Sequence, residues 1–202
     1  MKMKSFILIL FLITIIGLGE THAQYGSSIE SFELRRQEIN QSAMLVLGSW
    51  ALGNLLVGGY GHFTTSGQTR DFHQFNVMWN VVNLGIAAYG YYNATGVDAS
   101  GMTGLDVLRE HHTLQNILLL NIGLNVTYMT AGLYLRERSK NVTKHADRFR
   151  GYGNSLLLQG GFLFLFDVSL FLIHRNHAGL HLFPQLESLA AGGAGLGLLW
   201  RF

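Results

Sequence analysis

Four stretches of the chain run for twenty or more residues without a lysine, arginine or glutamate. They are "MLVLGSWALGNLLVGGYGHF" (44–63), "HQFNVMWNVVNLGIAAYGYY" (73–92), "TLQNILLLNIGLNVTYMTAGLYL" (113–135) and "YGNSLLLQGGFLFLFDVSLFLIH" (152–174). At about 1.5 Å per residue, each is long enough as a helix to cross about 30 Å of hydrocarbon. A bilayer offers the backbone no water, so spanning segments are helices or closed barrels. Barrel strands are about ten residues of alternating polarity. The four runs are twice that length and do not alternate, although Leu196, Leu198, Trp200 and Phe202 near the end of the chain do. Composition agrees with helices in lipid, because only 13% of residues are charged, against roughly 25% in soluble domains. Tyr60, Phe63, Tyr91, Tyr92, Tyr134 and Tyr152 crowd the run ends, where aromatic rings suit the headgroup level. The expected fold is therefore all-α: a helical integral membrane protein with a four-helix transmembrane bundle over 44–174.

The flanks complete the organisation. "MKMK", a fourteen-residue apolar run and "THAQ", with Thr21 and Ala23 at the −3 and −1 positions, form a signal-peptide pattern over residues 1–23. Residues 24–43 are polar with a thin apolar stripe at Ile29, Phe32, Ile39 and Ala43, which predicts an interfacial helix on the membrane surface. Residues 175–202, broken by Pro184 and rich in glycine, form a short C-terminal appendage. Removal of the signal leaves the mature N-terminus outside. The loop "RERSKNVTKHADRFR" (136–150), with six Lys or Arg, then falls inside, as the positive-inside rule requires. The expected location is a multi-pass membrane protein, the inner membrane of a two-membrane cell being favoured.

Polar residues form a slab at mid-depth. Asn54, Asn83, Asn121, Asn125 and Asp167 all fall near the middles of their runs. An Asp near the bilayer centre costs about 2.5–3.5 kcal/mol on insertion scales. No basic residue lies in any run to offset it. Asp167 is expected to face the bundle interior as a neutral carboxyl bonded to asparagines. Asn76, Asn80 and Asn83 share one helix face, and Gly48, Gly53, Gly85, Gly132, Gly160 and Gly161 are expected at close helix contacts. Matching polar positions in the second and third runs, such as Gln74 with Gln115 and Asn80 with Asn121, are compatible with a duplicated hairpin.

The histidines are the other chemistry-bearing group. His111, His112, His174, His177 and His181 gather at the outer end, and imidazoles at such spacing are a zinc or copper ligand pattern. His62 and His73 at the inner end, with His112 and His174 at the outer, raise paired haem ligation, although haem ligands belong within the spans. No metal or haem is required by the sequence. With no Cys there is no thiolate chemistry. No P-loop, dinucleotide fingerprint or nucleophile elbow is present. A net charge of +2, without a basic patch interleaved with aromatics, is too small to suggest nucleic acid, and none is expected as a partner.

Three functions are compatible with this pattern. The first is a non-enzymatic envelope component whose Asn/Asp layer holds the bundle, a second copy or a membrane partner together in the lipid bilayer. The second is a metal- or haem-binding redox protein using the outer histidines. The third is a small-solute or proton pathway through the Asn/Asp layer. The signal, four spans, "MWNVVN" in the second run and "FDVSLFLIHRNHAG" around the fourth together resemble an uncharacterised family of short bacterial multi-pass envelope proteins, a domain of unknown function. That resemblance implies a membrane location and no chemistry.

Overall fold

A computed structural model describes residues 29–96 and 98–192. The signal segment and the alternating residues 196–202 lie outside the described residues. Four long helices come first: α1 (Ile29–Thr64), α2 (Gly67–Thr95), α3 (Gly104–Arg138) and α4 (Ala146–His177). A π-type turn, Ala178–Leu182, then leads into a short α5 (Phe183–Gly192). No strand occurs among the described residues.

The boundaries have local causes. No proline interrupts the chain before Pro184, so each helix runs until a turn or cap stops it. Thr65 and Ser66 separate α1 from α2, and Gly67 takes the left-handed φ of 55° that the tight reversal needs. A capping box starts α3: the Thr103 hydroxyl accepts from the Asp106 N–H, and the Asp106 carboxylate accepts from the Thr103 N–H. His145, at φ 67°, turns the chain into α4.

The four helices run up, down, up, down. Along the α1–α2 seam Gly48 meets Ala87 and Gly58 meets Val77, a falling register that marks an antiparallel pair. The α3–α4 seam is likewise antiparallel, with Gly132 against Gly153 and Gly160 against Asn125 and Met129. Helices α2 and α4 run parallel, joined where Gly151 sits on the backbone of Gln68 and Phe72. A Cβ built on Gly132 would lie 2.8 Å from the Gly153 carbonyl oxygen, and one on Gly151 would lie 2.6 Å from that of Gln68. Only glycine permits these approaches.

The interior is polar where the exterior is not. The buried side chains of α2 are Asn76, Asn80, Asn83, Ala87 and Ala94. Leu56, Tyr60 and Phe63 on α1 are 74%, 75% and 86% exposed, and Val81, Val82, Leu119, Leu120 and Leu172 also point outward. An apolar cluster of Ile39, Ala43, Leu47, Ala87, Leu118, Phe162, Phe166 and Leu170 fills the rest of the bundle. Trp50 stacks flat on Phe162 at 3.9 Å between centroids.

Three expectations change. Residues 29–43 are not a separate surface helix: they are the first turns of α1, whose 36 residues make a rod about 54 Å long against about 30 Å of hydrocarbon. The stripe of Phe32, Ile39 and Ala43 is covered by protein. Phe32 packs with Val107, Ala178 and Leu182 in a second small core beyond the bundle. Three helices, α1, α3 and α4 with its extension, are long and apolar enough to cross a membrane. Helix α2 is long enough, but with Asn76, Asn80 and Asn83 in its run it is not among the helices apolar enough by composition to cross. Gly53, Gly85 and Gly161 face open space, so only Gly48, Gly132 and Gly160 of the expected glycines lie at helix contacts. The appendage is helical through Pro184, because the wider π-type turn precedes it and the first turn of a helix tolerates a missing N–H.

The glycine seams make a testable contrast. Gly132→Ala and Gly151→Ala should each cost about 1–3 kcal/mol by overpacking, whereas Gly53→Ala should be neutral or slightly stabilising. Thermal unfolding of the three variants in detergent checks this.

Candidate functional site

Three polar groups are buried at different heights. The largest joins α1, α2 and α4 around Gln159, which is fully buried. Trp50 Nε1 donates to Gln159 Oε1 at 3.0 Å. Gln159 Nε2 donates to Asn76 Oδ1 at 2.8 Å and to Asn54 Oδ1 at 3.2 Å. The Ser155 hydroxyl donates to Asn76 Oδ1 at 2.6 Å, and Asn76 Nδ2 donates to Asn54 Oδ1 at 3.2 Å. Asn54 Nδ2 returns to the Trp50 carbonyl at 2.8 Å. Asn80 and Asn83 extend the chain along α2, through bonds to the Asn76 carbonyl and to Asn80 Oδ1. Carboxamides suit this work because each carries two donors and an acceptor of two lone pairs.

The second group is a pair. Asn125 Nδ2 on α3 donates to Asp167 Oδ2 on α4 at 2.6 Å, with both residues buried. The single slab of the sequence reading thus divides in two. Asn54 and Asn83 belong to the network, Asn125 and Asp167 form the pair, and Asn121 is only half-buried and has no part in either. Three members of the network escaped sequence reasoning: Trp50, Ser155 and Gln159. The i, i+4 spacing of Ser155 and Gln159 was the available signal, since it puts both on one face of the fourth run.

The third group lies at the opposite height from the basic loop, where α1, α3, α4 and the π-type turn meet. Glu33 has no exposed surface. Arg36 grips it with a two-pronged contact, Nε to Oε2 at 2.7 Å and Nη2 to Oε1 at 2.6 Å, and also reaches Glu110 on α3. Gln37 Nε2 adds a bond to Glu33 Oε1 at 3.2 Å. Around these ions stand the histidines. His177 stacks on Phe32 at 4.5 Å and its Nε2 faces the Phe32 carbonyl at 3.3 Å. His174 Nε2 faces Asn40 Oδ1 at 3.0 Å. Each of those oxygens can only accept, so Nε2 carries the proton in both rings and Nδ1 keeps its lone pair. The Nδ1 atoms of His174 and His111 are buried without a hydrogen-bond partner among the described residues. His112 and His181 are exposed. Among the described residues no three His, Asp or Glu side chains are placed to hold a metal ion. The pairs considered for haem fall at opposite ends, with His62 and His73 beside the basic loop and His112 and His174 here.

The ion group was also missed from sequence, where Glu33 and Arg36 lie unremarked in the polar stretch 24–43. Burial changes their electrostatics and that of their neighbours. Desolvation, reinforced by His112, Arg36 and His177 nearby, holds the His111 imidazole down at about 4. Burial also lowers His177, partly offset by the Phe32 carbonyl. Both rings are therefore neutral near pH 7, in a setting where a proton would add to the charge of Arg36.

Two outcomes follow. Gln159→Leu removes the partner of Trp50, Asn54 and Asn76 together and should cost about 1–3 kcal/mol, the penalty of unmade buried bonds, read as a lowered melting temperature. The unfolded chain binds protons at His111 and His177 near pH 6.5 while the folded chain resists them. Stability should then fall as pH drops from about 6.5 toward about 4, and His111→Gln should flatten that fall in a pH series of thermal melts.

Comparison with known proteins adds one match. Residues 46–168 fit a family described as a family of unknown function (DUF6992). That stretch holds the whole amide network and the Asn125–Asp167 pair, and leaves out Glu33, Arg36, His174 and His177. No curated protein and no solved structure matches the chain. With more than half its length inside the family pattern, the chain belongs to the DUF6992 family of unknown function.

Proposed function

We propose that the protein is an integral membrane component without enzymatic activity, a four-helix bundle locked from within by hydrogen bonds between amides. The observation that carries this reading is the reversal of polarity: amides and a carboxyl inside, leucines, valines and aromatics outside. In water that arrangement would expose apolar surface on every face of the bundle. In lipid it buries the apolar surface and lets the interior polar groups satisfy one another. Helix α2 crosses with its asparagines turned onto α1 and α4. The amides that could line a pathway are bonded to one another, which favours a lock over a conduit.

The signal pattern and the positive-inside rule support a mature N-terminus on the outer face, with the basic end inside and the inner membrane as the location. A second reading, a ligand or redox site at the histidine end, draws support from the free Nδ1 atoms of His111 and His174. Metal analysis and a visible spectrum of the purified protein separate the two readings.

The direct test is extraction. The chain should stay in the membrane pellet through an alkaline carbonate wash and leave it only with detergent; recovery in the aqueous supernatant would overturn the proposal. Asp167→Asn in proteoliposomes distinguishes lock from pathway. The lock predicts a changed melting temperature and no change in proton flux, and a folded variant that loses flux would favour the pathway.

A further inference from the structure

Charge is divided between the two ends of the bundle. Around the histidine end the described residues include seven acidic side chains (Glu30, Glu33, Glu38, Asp98, Asp106, Glu110, Glu187) and four basic ones. The other end, formed by the close of α1, the start of α2, the close of α3 and the start of α4, reverses this. It holds Arg70, Arg136, Arg138, Lys140, Lys144, Arg148 and Arg150 against Asp71, Glu137 and Asp147.

Most of these cations are left without a carboxylate. Lys140 pairs with Glu137 at 2.6 Å, whereas among the described residues no ion pair involves the other six. All six are exposed. The Arg138 guanidinium is held ready, donating to the Tyr134 hydroxyl at 2.9 Å and lying over the Phe149 ring at 5.5 Å. Two helix N-termini, those of α2 and α4, emerge among these residues, and neither has a side-chain cap. Their dipoles add to the positive field.

The exposed aromatics at this end identify the plane in which that field acts. Tyr60, Phe63 and Tyr134 stand outward at this end, Tyr134 one turn before Arg138 on α3. Rings in such a position mark the headgroup level of a bilayer. A nucleic acid or a soluble anion would have no use for an apolar band directly beneath the basic collar, whereas a lipid meets both features at once, its tails on the band and its phosphate on the collar.

We propose that the basic end binds the phosphate headgroups of anionic glycerophospholipids. The inference rests on the membrane reading above and adds a ligand class to it. Six uncommitted cations in one collar hold such headgroups by direct and screened attraction, which decays within about 8 Å at physiological salt. Neutral phosphatidylcholine has no net charge to offer the collar.

The test uses the full chain in nanodiscs of phosphatidylcholine with and without phosphatidylglycerol. Lipid retained after gentle detergent exchange is measured by native mass spectrometry, and stability by thermal melting. The wild type should retain phosphatidylglycerol over phosphatidylcholine by roughly tenfold or more, given the gain per basic residue near a charged surface, and should melt higher in its presence. Combined Arg138→Gln, Arg148→Gln and Arg150→Gln should remove most of that preference, while Arg109→Gln with Arg175→Gln at the other end should leave it intact. Circular dichroism confirms that each variant is folded. Equal retention of the two lipids by the wild type, or an unchanged preference in the triple variant, would overturn the proposal. So would equal stabilisation by inorganic phosphate, which would reveal a free-anion site. The triple variant should still resist carbonate extraction, so loss of lipid preference is separable from failure of the membrane reading.

Discussion

A carboxamide buried among helices has no water to fall back on. Every bond it fails to make with protein is a bond lost, and this constraint shapes the bundle more than any apolar contact does. Gln159 is the clearest case. Its oxygen takes the Trp50 indole N–H and its nitrogen serves both Asn54 and Asn76, so one side chain fixes the spacing and register of three helices. Apolar packing alone is less discriminating, because leucines can slide past one another at small cost. Amides in fixed positions cannot.

The glycine seams work with this network. Gly132 on Gly153 and Gly151 on the α2 backbone bring the helix axes close, and short side chains such as Ser155, Asn76 and Asn125 can then reach across. Larger residues at those seams would move the amides beyond hydrogen-bonding range. The bonding pattern therefore depends on backbone approach first and side-chain chemistry second. The Asn125–Asp167 contact joins α3 to α4 on the same principle, outside the main network.

Much of this was legible from sequence, for a physical reason. Helix content and the approximate bounds of the apolar runs follow from run length and from the lack of interrupting prolines. Local chemistry also marked Asn83, Asn125 and Asp167 as buried, since polar atoms in long apolar runs have nowhere else to go, whereas Asn54 is half-buried. Which polar residue bonds which was not legible, because register between helices is a tertiary property. Asn121 and Asn125 are equally polar and share one face of α3, yet they lie about 6 Å apart along its axis, and only Asn125 comes level with Asp167. The ion group failed for a different reason. Glu33 and Arg36 lie in a polar segment where charge normally means solvent, and only the packing of α3 and the π-type turn over α1 removes that solvent. Hydropathy carries no record of what a neighbouring element will cover.

The unequal partition of amides among the helices bears on how the chain is assembled. Asn76 sits in α2, but its partners Ser155 and Gln159 are made about eighty residues later. During synthesis α2 must therefore be held beside α1, with Asn54 as its provisional companion, until α4 emerges. The leading hairpin of α1 and α2 is thus complete in sequence before the two α4 side chains that satisfy Asn76 have been made.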